Sequence, residues 1–375
     1  MENKPIRILQ FVPIMQPAGI ENFIMNLYRN IDHNEIQFDF VVHSKTKGFY
    51  DDEIEKLGGK IYRLTYKDDK NFVKYVRDLN DFFNKHNEYK IIHGNMQSMM
   101  PVYLKIAKKH NVPIRIAHAH NSSYEKSIKG YLLHLLSRFV KYQANVKFAC
   151  SDKAGKYLFG KEKFEFIPNA IDIKKFEFSN EQRKKIRNEL NISEQTILIG
   201  NIGRFELQKN HKRLIKIFKT IKDNYVNLDV KLLLLGKGKL ENKIKRQVEK
   251  KDLQEDVLFL GNKKNTFEYY SAMDVFLFPS LYEGLPVTGI EAQASGLNCV
   301  FSDEITKEVN ITGNIKYISL KEKDCTWAQA TIENSFNKNN RKIINNQILK
   351  TEFDINNNAQ YMKDKYLKYY NNISN

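Results

Sequence analysis

The segment DVFLFPSLYEGLPVTGIEAQASG, Asp274 to Gly296, decides how this chain is read. Its apolar run DVFLFPS is short and continuous, as in a strand covered on both faces. A turn rich in Gly and Pro follows, and a helix begins beyond it. Strand, turn and helix in that order make half of a βαβ unit. Two carboxylates stand in it: Glu283 in the turn, and Glu291 about one turn into the helix. A helix-capping Glu283 and a Glu291 on the wet face would account for both without any function. The other reading is a site at the strand's carboxyl end, and the rest of the chain separates the two.

Working outward, the same alternation fills the sequence. In the first half IRILQFV, FDFVVHS, KIYRL, IIHGN, IRIAHAH, VKFACS and FEFIPN are strand-like, with helical stretches between them. One of these, NFVKYVRDLNDFFNKH, sets Phe72, Tyr75, Val76, Leu79, Phe82 and Phe83 on a single face. A charged, polar stretch, IDIKKFEFSNEQRKK, interrupts the pattern near residues 170 to 190, where a linker is expected. It restarts with TILIGNIG, KLLLLG, VLFLG, VFLFPS, LNCVFS and IKYIS. Continuous apolar strands alternating with helices predict parallel sheets covered on both sides. The expected fold class is α/β, with two doubly wound, Rossmann-like domains at 1–172 and 173–353. A helical tail, 354–375, packs back on the first. A length of 375 residues suits two such cores. In open sheets ligands bind beyond the carboxyl ends of the strands, so chemistry is expected in those loops and in a cleft between the domains.

Composition narrows the partners. Hydrophobic content of 42% excludes a disordered chain. With 61 Lys and Arg against 44 Asp and Glu, the net charge is +17. That calls for an anionic partner, unless it only reflects a Lys- and Asn-rich composition. Nucleic acid is set aside, because the charge is spread along the chain and no binding motif accompanies it. Cys150, Cys299 and Cys325 are far apart and fit neither a disulfide framework nor a metal spacing, so reduced cytosolic thiols are expected. The start, MENKPIRILQFVPIMQPAG, lacks a small-x-small cleavage pattern and reads as a first strand and turn. No apolar run approaches the ~20 residues of a membrane span.

In NIGRFELQKNHKRLIKIF, Arg204 follows a strand and Lys209 precedes a helix, so both cations reach the space at the strand's end. With helix amides they make a diphosphate clamp, since a guanidinium can hold two oxygens at once. Solvated loop charge is the plainer alternative. LLGKGKLE brackets Lys237 with Gly236 and Gly238, as a tight strand-to-helix turn does. Neither a G-x-G-x-x-G fingerprint nor a Walker lysine loop is present.

These pieces resemble a known family. GRFELQKN resembles the diphosphate-binding loop of the retaining GT-B glycosyltransferases, the nucleotide-sugar enzymes often called family four. PSLYEGLPVTGIEAQASG resembles that family's paired-glutamate motif, a Glu and a second Glu after seven residues. FIPNAID is similar to its segment entering the interdomain linker, and LLGKGKLE and FLGNKKNTFEYYSAMDVFLFPS to further second-domain signatures. The match runs over almost the whole chain and is most specific between Gly200 and Gly296. Within the family, the sequence is most similar to bacterial enzymes that assemble capsular polysaccharides and exopolysaccharides.

The resemblance implies a GT-B architecture, its two domains facing a central cleft. It implies that Arg204, Lys209 and Gly236 hold a donor diphosphate. The amides around Leu285, Pro286 and Val287 (Pro286 itself offers none) and the positive helix end there would share the task. Glu283 then faces the donor sugar and the reacting centre, and Glu291 accepts from ribose hydroxyls. The loop near Asn262 holds the base through backbone groups. In MQPAGIENFIMNL the family's two adjacent glycines are replaced by Ala18 and Gly19, and Gly19 would still let the chain pass close to phosphates. IRIAHAHNSS puts His118 and His120 on one face of a strand. A metal pair there lacks a third ligand at a useful spacing. The resemblance instead implies a histidine bonded to a donor-sugar hydroxyl, His120 first and His118 second.

The implied activity is metal-independent, retaining transfer of a hexose or N-acetylhexosamine, with no cofactor beyond the nucleotide-sugar substrate. The donor is expected to be UDP-linked, by family frequency. The expected acceptor is a saccharide carried on undecaprenyl diphosphate, in surface-polysaccharide biosynthesis. EKSIKGYLLHLLSRFVKYQANVK mixes Leu132, Leu133, Leu135, Leu136, Phe139 and Val140 with Lys126, Lys129, Arg138, Lys141 and Lys147. It reads as a core helix with a basic wet face. Its alternative is a surface resting on anionic lipid, which would place a cytoplasmic enzyme at the inner face of the plasma membrane. Two other functions stay open: a GT-B nucleotide-sugar epimerase or phosphorylase, and a non-catalytic GT-B partner subunit. Intact Arg204, Lys209, Glu283 and Glu291 argue against the last.

Overall fold

The computed structural model describes residues 4–65, 68–69, 71–97, 99–121, 128–336 and 341–374. The chain divides into two compact units, Met1–Ala170 with Ile355–Asn375, and Ile171–Asp354. The first holds seven parallel strands: β1 (Ile6–Val12), β2 (Ile36–Val42), β3 (Ile61–Arg63), β4 (Ile91–Gly94), β5 (Ile114–Ala119), β6 (Val146–Ala149) and β7 (Glu165–Phe166). Their spatial order is β3-β2-β1-β4-β5-β6-β7. The second holds six: β8 (Ile197–Ile202), β9 (Val230–Leu235), β10 (Val257–Gly261), β11 (Val275–Phe278), β12 (Asn298–Ser302) and β13 (Ile315–Ile318). They run β10-β9-β8-β11-β12-β13.

Each apolar run read as a strand from the sequence forms one, and for the inner strands the reason is burial on both faces. β2 and β8 are buried at every position. In both sheets the first strand sits inside the sheet, with the second strand on one side and the fourth on the other. The winding reverses between β1 and β4, and again between β8 and β11, and such a reversal opens a crevice at the strands' carboxyl ends.

The helix Phe72–Lys85 starts where the Asn71 side chain accepts from the Lys74 amide. It buries Tyr75, Leu79, Phe82 and Phe83, each contributing about 1.5–3 kcal/mol. Phe72, expected on that face, is 49% exposed, because it occupies the helix's first turn. The last helix, Ile355–Ser374, lays Ile355, Ala359, Met362 and Tyr366 into the first unit's core, beside Ile8, Phe38 and Ile91. Those four follow helical spacing along one stripe. The second unit is entered and left side by side, where the Ile171 amide donates to the Phe353 carbonyl at 3.0 Å.

Two sequence expectations change. The polar stretch expected as a linker folds into the second unit as a 3₁₀ turn, Lys174–Phe176, and a helix, Asn180–Glu189, capped by Ser179. Its Arg187, 1% exposed, donates to the carbonyls of Ala272 and Ser193 at 2.8 and 2.7 Å and lies 3.3 Å from Asp274. A charge so well partnered can be buried, and its sequence then looks like a solvated segment. The second change concerns the helix Ile128–Ser137 and the 3₁₀ turn Arg138–Tyr142. Val140 is buried there, but Tyr131, Leu135, Leu136, Phe139 and Tyr142 are exposed, so a core helix with a basic wet face does not describe it. Lys126 and the side chains of Lys129, Leu132 and Leu133 lie outside the described residues.

Candidate active site

The second unit's switch point gathers most of the sequence-derived candidates. The loop after β8 carries Arg204 and Lys209, and the loop after β11 carries Glu283. The Leu281 amide donates to the Gln208 carbonyl at 2.8 Å, and the Asn210 side chain to the Pro279 carbonyl at 3.0 Å. These bonds tie the two loops together across the reversal. Lys209 Nζ then lies 2.8 Å from Glu283 Oε1 and 4.6 Å from the centre of the Phe278 ring. Gln208 donates to the other carboxylate oxygen at 3.1 Å. An ammonium has three donors, so one bond to Glu283 leaves Lys209 two.

Arg204 is exposed, and among the described residues its guanidinium forms no ion pair. The backbone beside it is fixed by contacts between neighbouring loops. Gly203 donates to Leu235, Phe205 to the Lys237 carbonyl, and Gly236 to the Gly261 carbonyl. Gly236 has φ +133°, and a Cβ there would sit 2.1 Å from the Gly203 carbonyl oxygen. Only glycine fits. Asn262 follows directly and is exposed at the end of β10.

The helix Val287–Ala294 begins behind Pro286, with Leu285 buried just before it. The amides of Val287 and Thr288, at its first two positions, have no acceptor within the helix, which leaves a positive helix end at this switch point. Glu291, one turn on, accepts from the Tyr270 hydroxyl at 2.8 Å. Burial pushes its carboxyl up to about 7, while Tyr270 and the charges of Lys175 and Lys209 pull it down. Lys209 therefore acts on both glutamates, by a direct bond to Glu283 and by its field on Glu291.

The first unit's candidates meet at its own switch point. His118 is wholly buried on β5, and His120, just past the strand end, is 6% exposed. Their rings lie 4.0 Å apart between centroids, with Phe23 against both. His118 Nδ1 is 3.2 Å from Nε2 of His93 on β4, and His120 Nε2 is 3.0 Å from Asn95 Oδ1. Burial lowers all three histidines, His93 to about 3 and His120 to about 4. Gly19 opens the helix Gly19–Asn30 after β1, and a Cβ there would meet nothing within 4 Å.

Sequence reasoning missed several participants. Gln208 stands one residue before Lys209, and Tyr270 lies inside a segment already quoted, so both were within reach of the motif. His93 and Asn95 lie in the strand run IIHGN and Gln10 in IRILQFV, but no motif marks them, nor Tyr366. Asn95 Nδ2 lies 2.9 Å from Gln10 Oε1, and the Tyr366 hydroxyl 2.7 Å from His93 Nδ1. Among the described residues, no three His, Cys, Asp or Glu side chains come together as metal ligands do.

The pattern described as "Glycosyl transferases group 1" matches residues 182–359, and "Glycosyltransferase Family 4" matches residues 17–175. "Putative glycosyltransferase EpsF" of Bacillus subtilis is 32% identical over 338 residues, covering 88% of each chain. "UDP-Gal:alpha-D-GlcNAc-diphosphoundecaprenol alpha-1,3-galactosyltransferase" of Escherichia coli is 24% identical over 319 residues, covering 82% of this chain and 79% of that protein. Among solved structures, Anabaena Alr3699/HepE in complex with UDP superimposes with a TM-score of 0.78 at 16% identity, over 96% of this chain and all of that one. Likeness at that identity establishes the GT-B fold.

Proposed function

This chain belongs to the glycosyl transferases group 1 family, and on that premise we propose that it moves a sugar from a UDP-linked donor to a lipid-linked saccharide during surface-polysaccharide assembly. One observation carries the reading: at the second unit's switch point a buried carboxylate, Glu283, is held by Lys209, while Arg204 is exposed and its guanidinium forms no ion pair among the described residues. A nucleotide sugar needs both kinds of group, cations for its diphosphate and an anion for the cationic character that grows at the sugar's anomeric carbon.

Arg204, the two remaining donors of Lys209 and the helix amides at Val287 and Thr288 hold the diphosphate and take up the charge that develops as it leaves. Gly236 keeps the β9 loop tight against them. Glu291 accepts from ribose hydroxyls, and the backbone near Asn262 meets the base. Glu283 stabilises the oxocarbenium-like centre without forming a bond to it. The acceptor hydroxyl attacks from the leaving-group face and gives its proton to the departing phosphate, so the anomeric configuration is retained without a metal ion. His120 accepts a hydroxyl of the donor sugar. A UDP-bound neighbour of the same fold and a relative named for a UDP-galactose donor and a diphosphoundecaprenol acceptor support these choices.

The exposed side chains Tyr131, Leu135, Leu136, Phe139 and Tyr142, with Arg138 and Lys141 among them, support a face that rests on anionic lipid, where such an acceptor resides. No helix among the described residues is long and apolar enough to cross a membrane.

The test is a panel of nucleotide sugars offered with saccharides on a lipid diphosphate, with the product's anomeric configuration read by NMR. Retention with a UDP-sugar, abolished in Arg204→Ala, is expected. Release of an epimer or a free sugar phosphate from donor alone would move the chain to another reaction class. Absence of nucleoside diphosphate binding in calorimetry would make it a partner subunit. Binding to phosphatidylglycerol vesicles but not to phosphatidylcholine ones, lost in Phe139→Asp, checks the lipid face.

A further inference from the structure

Two helices carry the groups at the candidate ribose contact: Thr266–Ala272 bears Tyr270, and Val287–Ala294 bears Glu291. Both end against a third helix of the second unit, Arg341–Ile348. The last carbonyls of a helix lack partners within it. Beyond Val287–Ala294 the chain itself takes two of them, the Leu297 amide reaching the Ala292 carbonyl at 3.0 Å and the Gly296 amide the Gln293 carbonyl at 2.8 Å. The next two go to the third helix. Asn345 Nδ2 donates to the Ala294 carbonyl at 2.8 Å, and Arg341 Nε to the Ser295 carbonyl at 2.6 Å. Arg341 and Asn345 stand four residues apart, so they share a face.

The same guanidinium crosses to the Tyr270 helix. Arg341 Nη2 donates to the Tyr270 carbonyl and to the Ser295 hydroxyl, each at 2.9 Å, and Nη1 to the Met273 carbonyl at 3.2 Å. One planar fork thus closes the negative ends of two helices at once. Gly296 has φ +68°, and a Cβ on it would sit 2.5 Å from Arg341 Cα, so glycine is what lets the third helix come this close. Asn345 also donates to the Ile173 carbonyl at 3.0 Å, where the turn Lys174–Phe176 begins. The Phe176 ring of that turn packs on Tyr270, with centroids 5.9 Å apart. Tyr270, Ser295 and Asn345 are each at most 1% exposed, so water does not replace these bonds.

We propose that Arg341 is a positioning residue for the ribose of the nucleotide. By fixing the end of the Tyr270 helix against the end of the Glu291 helix, it holds the Tyr270 hydroxyl 2.8 Å from Glu291 Oε2 and so aims the carboxylate. This rests on the reading of Glu291 as the acceptor from ribose hydroxyls. Arg341 itself spends its donors at the carboxyl ends of both helices, opposite the end of Val287–Ala294 that faces the diphosphate. Without the fork, the Tyr270 and Ser295 carbonyls lose their donor and the two helix ends come apart. Glu291 then keeps its place on its helix but not the hydroxyl that orients it. Arg204, Lys209 and the helix start at Val287 are unaffected, so the loss falls on the ribose and spares the diphosphate.

The test is calorimetry of the full chain with UDP and with 2′,3′-dideoxyuridine diphosphate, which keeps base and diphosphate and lacks both hydroxyls. Measurement at pH 8 keeps Glu291 ionised. The unaltered protein is expected to bind UDP about 10–100-fold more tightly than the analogue, since the missing bonds are to a charged group. In Arg341→Met, which keeps the stem and removes the donors, that ratio should shrink to about 2–3-fold while affinity for the analogue changes by no more than about 3-fold. Arg341→Lys supplies a charge that cannot span two helix ends and should give an intermediate ratio, which covers the case of an Arg341→Met chain that does not fold. Glu291→Gln, at the contact itself, should shrink the ratio as far as Arg341→Met does. An unchanged ratio in the folded Arg341 variants, or equal weakening of both nucleotides, overturns the proposal and leaves Glu291 in its role. No preference for UDP in the unaltered protein, or one that survives Glu291→Gln, removes Glu291 from the ribose and the proposal with it.

Discussion

The two units share a topology and differ in what they place at its turning point. Between β8 and β11 the second unit sets Arg204, Lys209, Glu283, Glu291 and a helix end, with ionised groups partly open to water. Between β1 and β4 the first sets Gln10, His93 and Asn95, with His118 on β5 and His120 just past its end, all neutral and buried. A crevice lined with charge recognises charge, and one lined with amides and imidazoles recognises hydroxyls. Doubly wound sheets supply the location, and side chains at the strand ends supply the chemistry.

The largest predicted effect asks whether that division holds in catalysis. Glu283→Gln keeps the volume and removes the anion, and should lower turnover by about 10²–10³-fold. His120→Gln should cost about 10–100-fold, since it loses a hydrogen bond and no charge. Equal losses in transfer assays would erase the contrast.

Next comes a pair of glycines. Gly236→Ala forces a Cβ against the Gly203 carbonyl at positive φ and should cost about 1–3 kcal/mol or more in denaturant unfolding. Gly19→Ala meets open space and should change stability by no more than about 0.5 kcal/mol. If it nevertheless weakens UDP binding in calorimetry, ligand and not packing demands glycine in the first unit.

The smallest effects lie in pH. Burial raises Glu291 from 4.5 to about 7, so the folded chain holds that proton more tightly than the unfolded one. Its contribution to stability is therefore complete below about 4.5 and declines as pH rises through about 7. The buried histidines act oppositely. His93 falls from 6.5 to about 3 and His120 to about 4, so the unfolded chain takes up protons first and stability drops as pH falls below 6.5. Glu291→Gln should remove the decline at higher pH and leave the acid-side loss intact in thermal melts from pH 5 to 8. In calorimetry, the gain in UDP affinity between pH 6 and 8 should shrink in the same variant.

Much of this was legible in the sequence because the signals are local. Val275 to Phe278 must be a strand covered on both sides, and Arg204, Lys209 and Glu283 follow their strands by a few residues. Three other features depend on partners the sequence does not show. Arg187 reads as a solvated cation until Ala272, Ser193 and Asp274 close around it. Leu136 and Phe139 read as core, since apolar residues signal burial and nothing local reveals an outward face. Tyr366 and His93 are 273 positions apart, and no periodicity spans that distance.

The return of Ile355–Ser374 to the first unit has a consequence for how the molecule is made. On the ribosome, residues 1–170 emerge long before the helix that fills their core, and the whole of Ile171–Asp354 is synthesised in between. The unit begun first is thus finished last, waiting with an uncovered apolar stripe and an unclosed histidine cluster while its neighbour folds. Chaperones are expected to dwell on nascent chains of intermediate length, and a stop codon shortly before Ile355 would damage the amino-terminal half more than the half it follows.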